Sequence, residues 1–116
     1  MNIEELRELC LSFPHATEDV KWGKDLCFSV GGKMFCATGM EKAEGQVSFK
    51  CTPEKFAELT EREGVIPAPY VARYHWVAVE DPKAVDDEEL EDLISRSYLL
   101  VFENLPPAER KNLSKS

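Results

Sequence analysis

Residues 25–38 read DLCFSVGGKMFCAT, and their period decides the fold. Leu26, Phe28 and Val30 alternate with Cys27 and Ser29, the rhythm of a half-buried strand rather than of a helix. Gly31-Gly32 supplies the positive φ angles that a two-residue hairpin turn requires. Such a turn places Phe28 opposite Phe35, Leu26 opposite Ala37 and Cys27 opposite Cys36. The aromatic pair marks the core side, and Met34 and Thr38 share the other side with both cysteines. Cys27 and Cys36 then occupy a non-hydrogen-bonded site, where Cα atoms approach to about 4.5 Å, within disulfide reach. In a reducing compartment both are expected as free thiols.

On the N-terminal side, Ile3, Leu6, Leu9, Cys10 and Phe13 recur at helical spacing over residues 3–12. Asn2 caps that helix, Glu5 completes a capping box, and Phe13-Pro14 ends it. Residues 17–22 read as extended. On the C-terminal side, a loose connection from Gly39 to Gly45 leads to a strand at 46–51, where Val47, Phe49 and Cys51 alternate with Ser48 and Lys50. Thr52-Pro53 starts a short helix carrying Phe56 and Leu59, and Gly64 fits its C-terminal cap. Residues 65–70, with Pro67 and Pro69, read as a stiff connector, and RYHWVAV at 73–79 as the last strand. Asp86 caps the longest helix, 87–104, with Glu89 completing a second box. Its inner stripe is Leu90, Leu93, Ile94, Ser97, Leu100, Val101 and Leu105, and Pro106-Pro107 stops it.

This order predicts an α+β domain: an antiparallel β-sheet meander with the N- and C-terminal helices packed on one face. Residues 1–107 are expected to form a single domain and 108–116 a frayed tail, and the second sheet face is open unless something covers it. At 116 residues the chain is long enough to bury a core without metal or disulfide.

Charge narrows the function. Acids outnumber bases 22 to 14, a net charge of −8, which excludes a uniformly basic nucleic-acid coat. The acids concentrate in residues 2–19 and 80–92, while Lys21, Lys24, Lys33, Lys42 and Lys50 make residues 20–51 mildly basic. No apolar run reaches the roughly 18–20 residues of a membrane span, and MNIEELREL reads as an acidic helix rather than a signal peptide. The expectation is a cytoplasmic protein with no membrane partner.

The cysteines at 10, 27, 36 and 51 form no CxxC and match no zinc-site spacing, and no metal or cofactor is expected. No phosphate loop, GxSxG or HExxH occurs, and nothing selects a thiol–imidazole pair such as Cys36 with His75. The acidic run Asp86-Asp87-Glu88-Glu89-Glu91-Asp92 is accounted for by the helix it opens, where negative charge complements the dipole. No catalytic residue is assigned.

Several separated runs resemble one family. FPHATEDVKWGKDLCFSVGGKMFC (13–36), VSFK (47–50), IPAPYVARYHWVAV (66–79) and LISRSYLLVFENLP (93–106) occur in the order seen in the MmcQ/YjbR-like family. The resemblance spans residues 3–105. It implies a two-layer sandwich of the frataxin-like (CyaY-like) fold group, and a DNA-binding role through β hairpins arranged as a double wing. The motif positions it touches include Lys21, Trp22, Lys33, Phe35, Lys50, Tyr70, Tyr74 and Trp76.

Residue chemistry and resemblance together define an expected site on the sheet face and hairpin edges. There Lys21, Lys33, Lys50, Arg73 and His75 would meet an anionic backbone, and Trp22, Tyr70 and Trp76 would stack on bases. The expected function is a non-catalytic nucleic-acid-binding domain. The alternative is a protein-interaction or small-anion-binding module using the same open face, with a protein partner or a second copy of the chain.

Overall fold

Local signals set the helix ends. Asn2 Oδ1 accepts from Glu5 N at 2.8 Å and Glu5 Oε1 accepts from Asn2 N at 3.1 Å, so the first capping box closes. Thr52 accepts from Lys55 N ahead of Pro53, and Asp86 accepts from Glu89 N. The computed structural model describes residues 1–21, 23–39, 46–69 and 71–114. Its elements are α1 (Ile3–Ser12), β1 (Thr17–Lys21), β2 (Asp25–Val30), β3 (Lys33–Gly39), β4 (Val47–Lys50), α2 (Pro53–Leu59), β5 (Val65–Pro67), β6 (Trp76–Val79), α3 (Asp87–Glu103) and α4 (Pro107–Ser114). The six strands form one antiparallel sheet in the order β1-β2-β3-β4-β6-β5.

The sheet buries one face under α1 and α3, as an α+β two-layer sandwich. Leu26, Phe28 and Val30 of β2, Val47 and Phe49 of β4, and Val77 and Val79 of β6 meet Leu6 and Cys10 of α1 and Leu93, Ile94 and Tyr98 of α3 in one core. Tyr98 locks the layers: its ring stacks on Phe13 at 4.9 Å and meets Phe35 edge-on at 5.4 Å, and its hydroxyl donates to Pro14 O at 2.7 Å. On the other face a smaller cluster covers Trp76 and Ala78 with Ala68, Met34, Ile66 and Val71.

The hairpin register differs from the expected one. Gly31 and Gly32 do adopt positive φ (59° and 78°), and Val30 faces Lys33 as the tight turn requires. The ladder then shifts at a bulge between Phe28 and Ser29, so that Phe28 faces Cys36 and Cys27 faces Ala37. The extra residue lets Phe35 and Cys36 both enter the core, whereas an unbroken register would send one of them out. Cys27 and Cys36 therefore lie on opposite faces and do not form a facing pair; Cys36 instead approaches Cys10 of α1. Contact with the Cys10 thiol, and then burial, push the Cys36 thiol well above its ordinary pKa. Thr38 is also buried on the helix side, facing Leu26, rather than lying with Met34.

Three further segments differ from the sequence reading. Val65–Pro67 is more than a connector: it pairs with β6 as an edge strand, where a proline is tolerated. The last strand is shorter, because residues 72–74 form a 3-10 turn and His75 turns left-handed (φ 64°) before the ladder begins at Trp76. Pro106-Pro107 stops α3 but also starts α4, Pro107 standing at its first position, and Leu113 packs against the core where a frayed tail is expected. The second capping box is half made. Glu89 turns its carboxylate to Arg62, at 2.7 and 2.8 Å, instead of to its own helix end.

Gly64 stands beyond α2, which ends at Leu59, so it caps no helix. Its φ of 93° lets its carbonyl accept from Glu80 N and Asp81 N, and a Cβ there would lie 2.7 Å from Asp81 Cβ.

Ser97, fully buried at the middle of α3, holds the helix to the sheet. Its Oγ donates to Phe35 O at 2.7 Å and accepts from Lys50 N at 2.9 Å. Removing it strands the buried Phe35 carbonyl, at about 1–3 kcal/mol, and the half-buried Lys50 amide, at a smaller cost. Ser97→Ala is expected to lower the unfolding free energy by roughly 2–4 kcal/mol in urea titrations. Ser95→Ala, whose hydroxyl only back-bonds to Glu91 O on its own helix, should change it little.

The Arg62–Glu89 pair adds a pH term. Arg62 holds the Glu89 carboxyl below its ordinary value of 4.5, so its stabilisation is complete above that pH and is lost on acidification through the lower folded-state value. Both side chains are about one-third exposed, which limits the contribution to about 1 kcal/mol. Glu89→Gln should flatten the acid limb of stability against pH below about pH 5 while leaving the neutral plateau lower by about that amount.

Candidate functional site

Strand register sorts the expected site residues. β3, β4 and β6 run so that the Lys33 end of β3, the Lys50 end of β4 and the Trp76 end of β6 lie together. Lys33, Lys50, Arg73 and His75 thus lie toward one end of the sheet but not on one face. Lys50 faces Trp76 on the open side, whereas Lys33 faces Val30 of the core at the hairpin tip and the His75 ring turns to Phe56 of α2. Lys21 faces Asp25 at the opposite end, about 17 Å away along the strands. It does not belong to the cluster. Trp22 and Tyr70 lie outside the described residues.

Trp76 is on the expected face but is only 6% exposed, covered by Ala68 and Val71 and flanked by Met34. It is a packing residue and offers no ring face for stacking. The cause is the 3-10 turn. Ala68 N donates to Trp76 O at 3.0 Å, and the chain from 71 to 75 folds back over the indole instead of continuing the ladder.

The exposed ring at this end is Tyr74, 50% accessible, with the Arg73 guanidinium 4.8 Å from its centroid. Lys50 Nζ donates to the Tyr74 carbonyl at 2.6 Å, which brings a second cation to the same turn. Tyr74 was missed among stacking candidates because the period-two reading of RYHWVAV runs through it; its exposure follows from the turn that interrupts that strand. Lys33 is exposed at the hairpin tip. An acid is close by: Glu109 of α4 reaches toward Gly31.

His75 serves as a joint. Its carbonyl accepts from Cys51 N at 2.9 Å and from Cys51 Sγ at 3.4 Å, and its ring meets Phe56 edge-on at 5.7 Å. The thiol beside His75 is thus Cys51, bonded to the backbone rather than to the imidazole, while Cys36 lies in the core. No Cys36–His75 pair is formed. Burial raises the Cys51 thiol to about 11 and raises Cys27 as well, so both stay protonated at neutral pH.

On the helix side of the same sheet end, α2 and α3 diverge around a cleft of about 340 Å³. Cys51 lies at its floor, Lys55 of α2 and Arg96 of α3 flank it, and Leu93, Leu99 and Leu100 supply its apolar wall. Sequence periodicity assigned Leu100 to the inner stripe of the helix; it is half-buried and lines the cleft instead. Among the described residues no group of three or more His, Cys, Asp or Glu side chains is placed to hold a metal ion, and no helix is long and apolar enough to cross a membrane.

Comparison with known proteins matches this architecture. A curated relative, the uncharacterized protein YbdF of Escherichia coli O157:H7, is 24% identical over 95% of this chain and 92% of its own length. The crystal structure of Deinococcus radiodurans protein DR2400, a DUF419 domain, superposes with a TM-score of 0.87 at 31% identity, over 97% of this chain and 87% of that one. A crystal structure from Pseudomonas syringae, at 19% identity, shares the fold with a TM-score of 0.70 over 87% of this chain and 99% of its own. The YjbR family model matches residues 11–100, which takes in the hairpin, the Arg73–Tyr74 turn and most of α3. The chain belongs to the YjbR family.

Proposed function

We propose that this chain is a small, non-catalytic binding domain, frataxin-like in its layering and cytoplasmic in setting, that contacts single-stranded nucleic acid at the cationic end of its sheet. The observation that carries the reading is the exposed Tyr74 ring with Arg73 over it and Lys50 bonded beneath it. A solvent-facing ring offers a base-stacking surface worth about 1–3 kcal/mol, and adjacent cations meet the phosphates on either side. Lys33, exposed at the hairpin tip, adds a third cation at the same end of the sheet. His75 contributes through the turn it shapes, and Trp76 through the packing that supports it.

The surface is small, and its size limits the ligand. Three cations cannot follow a duplex, and the acids of α3 repel one; a short single strand needs only a local contact. With three phosphates neutralised, affinity for a single-stranded oligonucleotide should fall about 20-fold between 50 and 200 mM salt. Lys33→Glu with Arg73→Glu, both exposed positions, should abolish binding. Tyr74→Ala should weaken it about tenfold while leaving the salt slope in place. Fluorescence anisotropy on wild type and variants decides the matter. Absence of binding at 50 mM salt, or affinity unchanged in the double variant, would leave the protein-interaction or small-anion module as the reading of this face.

A further inference from the structure

We infer that the cleft between α2 and α3 is a second, separate binding site, and that it takes a small amphiphilic anion, a carboxylate on a short aliphatic chain. The cleft opens on the helix side of the sheet, so the inference does not rest on the nucleic-acid reading.

Size and polarity carry it. A volume of about 340 Å³ falls at the lower end of small-molecule pockets. Along α3 the cleft runs from Asp92 to Glu103, eleven residues and about 16 Å of helix. Its character changes along that length. At the Asp92 end, Lys55 and Arg96 approach from the two walls. Toward the Glu103 end, Leu99 and Leu100 follow, and Leu99 is 51% exposed, a large apolar side chain left in water.

Both cations have partners, Lys55 with Glu58 at 3.0 Å and Arg96 with Asp92 at 2.8 Å. These are exposed pairs of a kind that contributes little, so a ligand carboxylate can recruit either cation without breaking a strong contact. Asp92 offsets one of the two positive charges at its end, whereas Glu103 stands at the other end with no cation of the lining beside it. The Lys55–Arg96 end is therefore the more positive and takes the head, with the chain over Leu99 and Leu100. The Cys51 thiol, protonated at neutral pH, forms a weakly polar floor that suits an alkyl chain. A cationic amphiphile would find the reverse arrangement, its head against Lys55 and Arg96.

Octanoate, with ten non-hydrogen atoms, is the probe. In amide NMR titrations of the full chain, the expected result is shifts confined to residues 51–55 and 92–103. Cys51 gives a second reading: it is 6% exposed while Cys10, Cys27 and Cys36 are fully buried, so alkylation of the native protein reports on it and octanoate should slow that alkylation. Leu99→Glu and Arg96→Glu, both at exposed positions, should each weaken octanoate about tenfold or more. Lys55→Glu provides the same test from the other wall if either variant fails to fold. Octyltrimethylammonium should leave the spectrum and Cys51 unaffected. The inference is overturned if octanoate shifts no resonance in the cleft, if the cationic amphiphile binds as well, or if the folded variants bind unchanged.

Discussion

One buried hydroxyl joins the two layers of this domain. The β2–β3 hairpin carries a bulge, and next to a bulge the strand has backbone groups that the regular ladder does not serve. The Phe35 carbonyl is such a group, and the Lys50 amide lies across from it on β4, just past the Cys36–Phe49 pair where the β3–β4 register ends. Ser97 answers both with one side chain, as donor to the first and acceptor from the second. Buried polar groups must be paired, and here the pairing comes from a helix, so α3 is fixed to the sheet at a defined height and rotation. Hydrophobic contact alone would leave α3 freer to slide, since Leu93, Ile94 and Val101 present similar apolar surfaces one turn apart.

The bulge also decides where the thiols go. A tight Gly-Gly turn read from sequence implies an unbroken ladder, because turn chemistry specifies the first facing pair and says nothing about later insertions. Phe35-Cys36 is the place where the implication fails. Two adjacent residues that both bury well cannot alternate, and a bulge is the backbone's way to admit both to the core. Cys27 is left on the opposite face and Cys36 beside Cys10. A local sequence pattern does not reveal this, since the choice is made by how much volume α1 and α3 leave to be filled.

Most elements were legible because their signals are local. Asn2 with Glu5, Thr52 with Pro53, and Asp86 ahead of an apolar stripe each define a helix start within four residues, and the helices begin there. The candidate site was less legible because exposure is not local. Trp76 and Tyr74 are two residues apart on a strand-like pattern and would share a face if the ladder continued. The turn at Ala72–Tyr74 buries one and exposes the other. Glu89 shows the same limit: its position promises a capping box, but Arg62, distant in sequence, offers a bidentate partner and takes the carboxylate. Lys21 and Lys33 share charge, an extended or hairpin setting and the family motif, and only the strand directions separate them.

Both candidate surfaces depend on the register of β4. Lys50 and Cys51 are consecutive, so the pleat sends Lys50 to the open face, under Tyr74, and Cys51 to the helix side, at the cleft floor. A slip of one residue would exchange them, placing a thiol beneath the Arg73–Tyr74 turn and an ammonium group against Leu93. Two contacts at this dipeptide oppose that slip, the Lys50 amide to Ser97 and the Cys51 amide to the His75 carbonyl. The second is made from a left-handed His75, a conformation that costs a non-glycine residue about 1–2 kcal/mol and is retained because the surrounding hydrogen bonds exceed it. The positive end of the sheet and the apolar cleft behind it are therefore two faces of one pinned strand end.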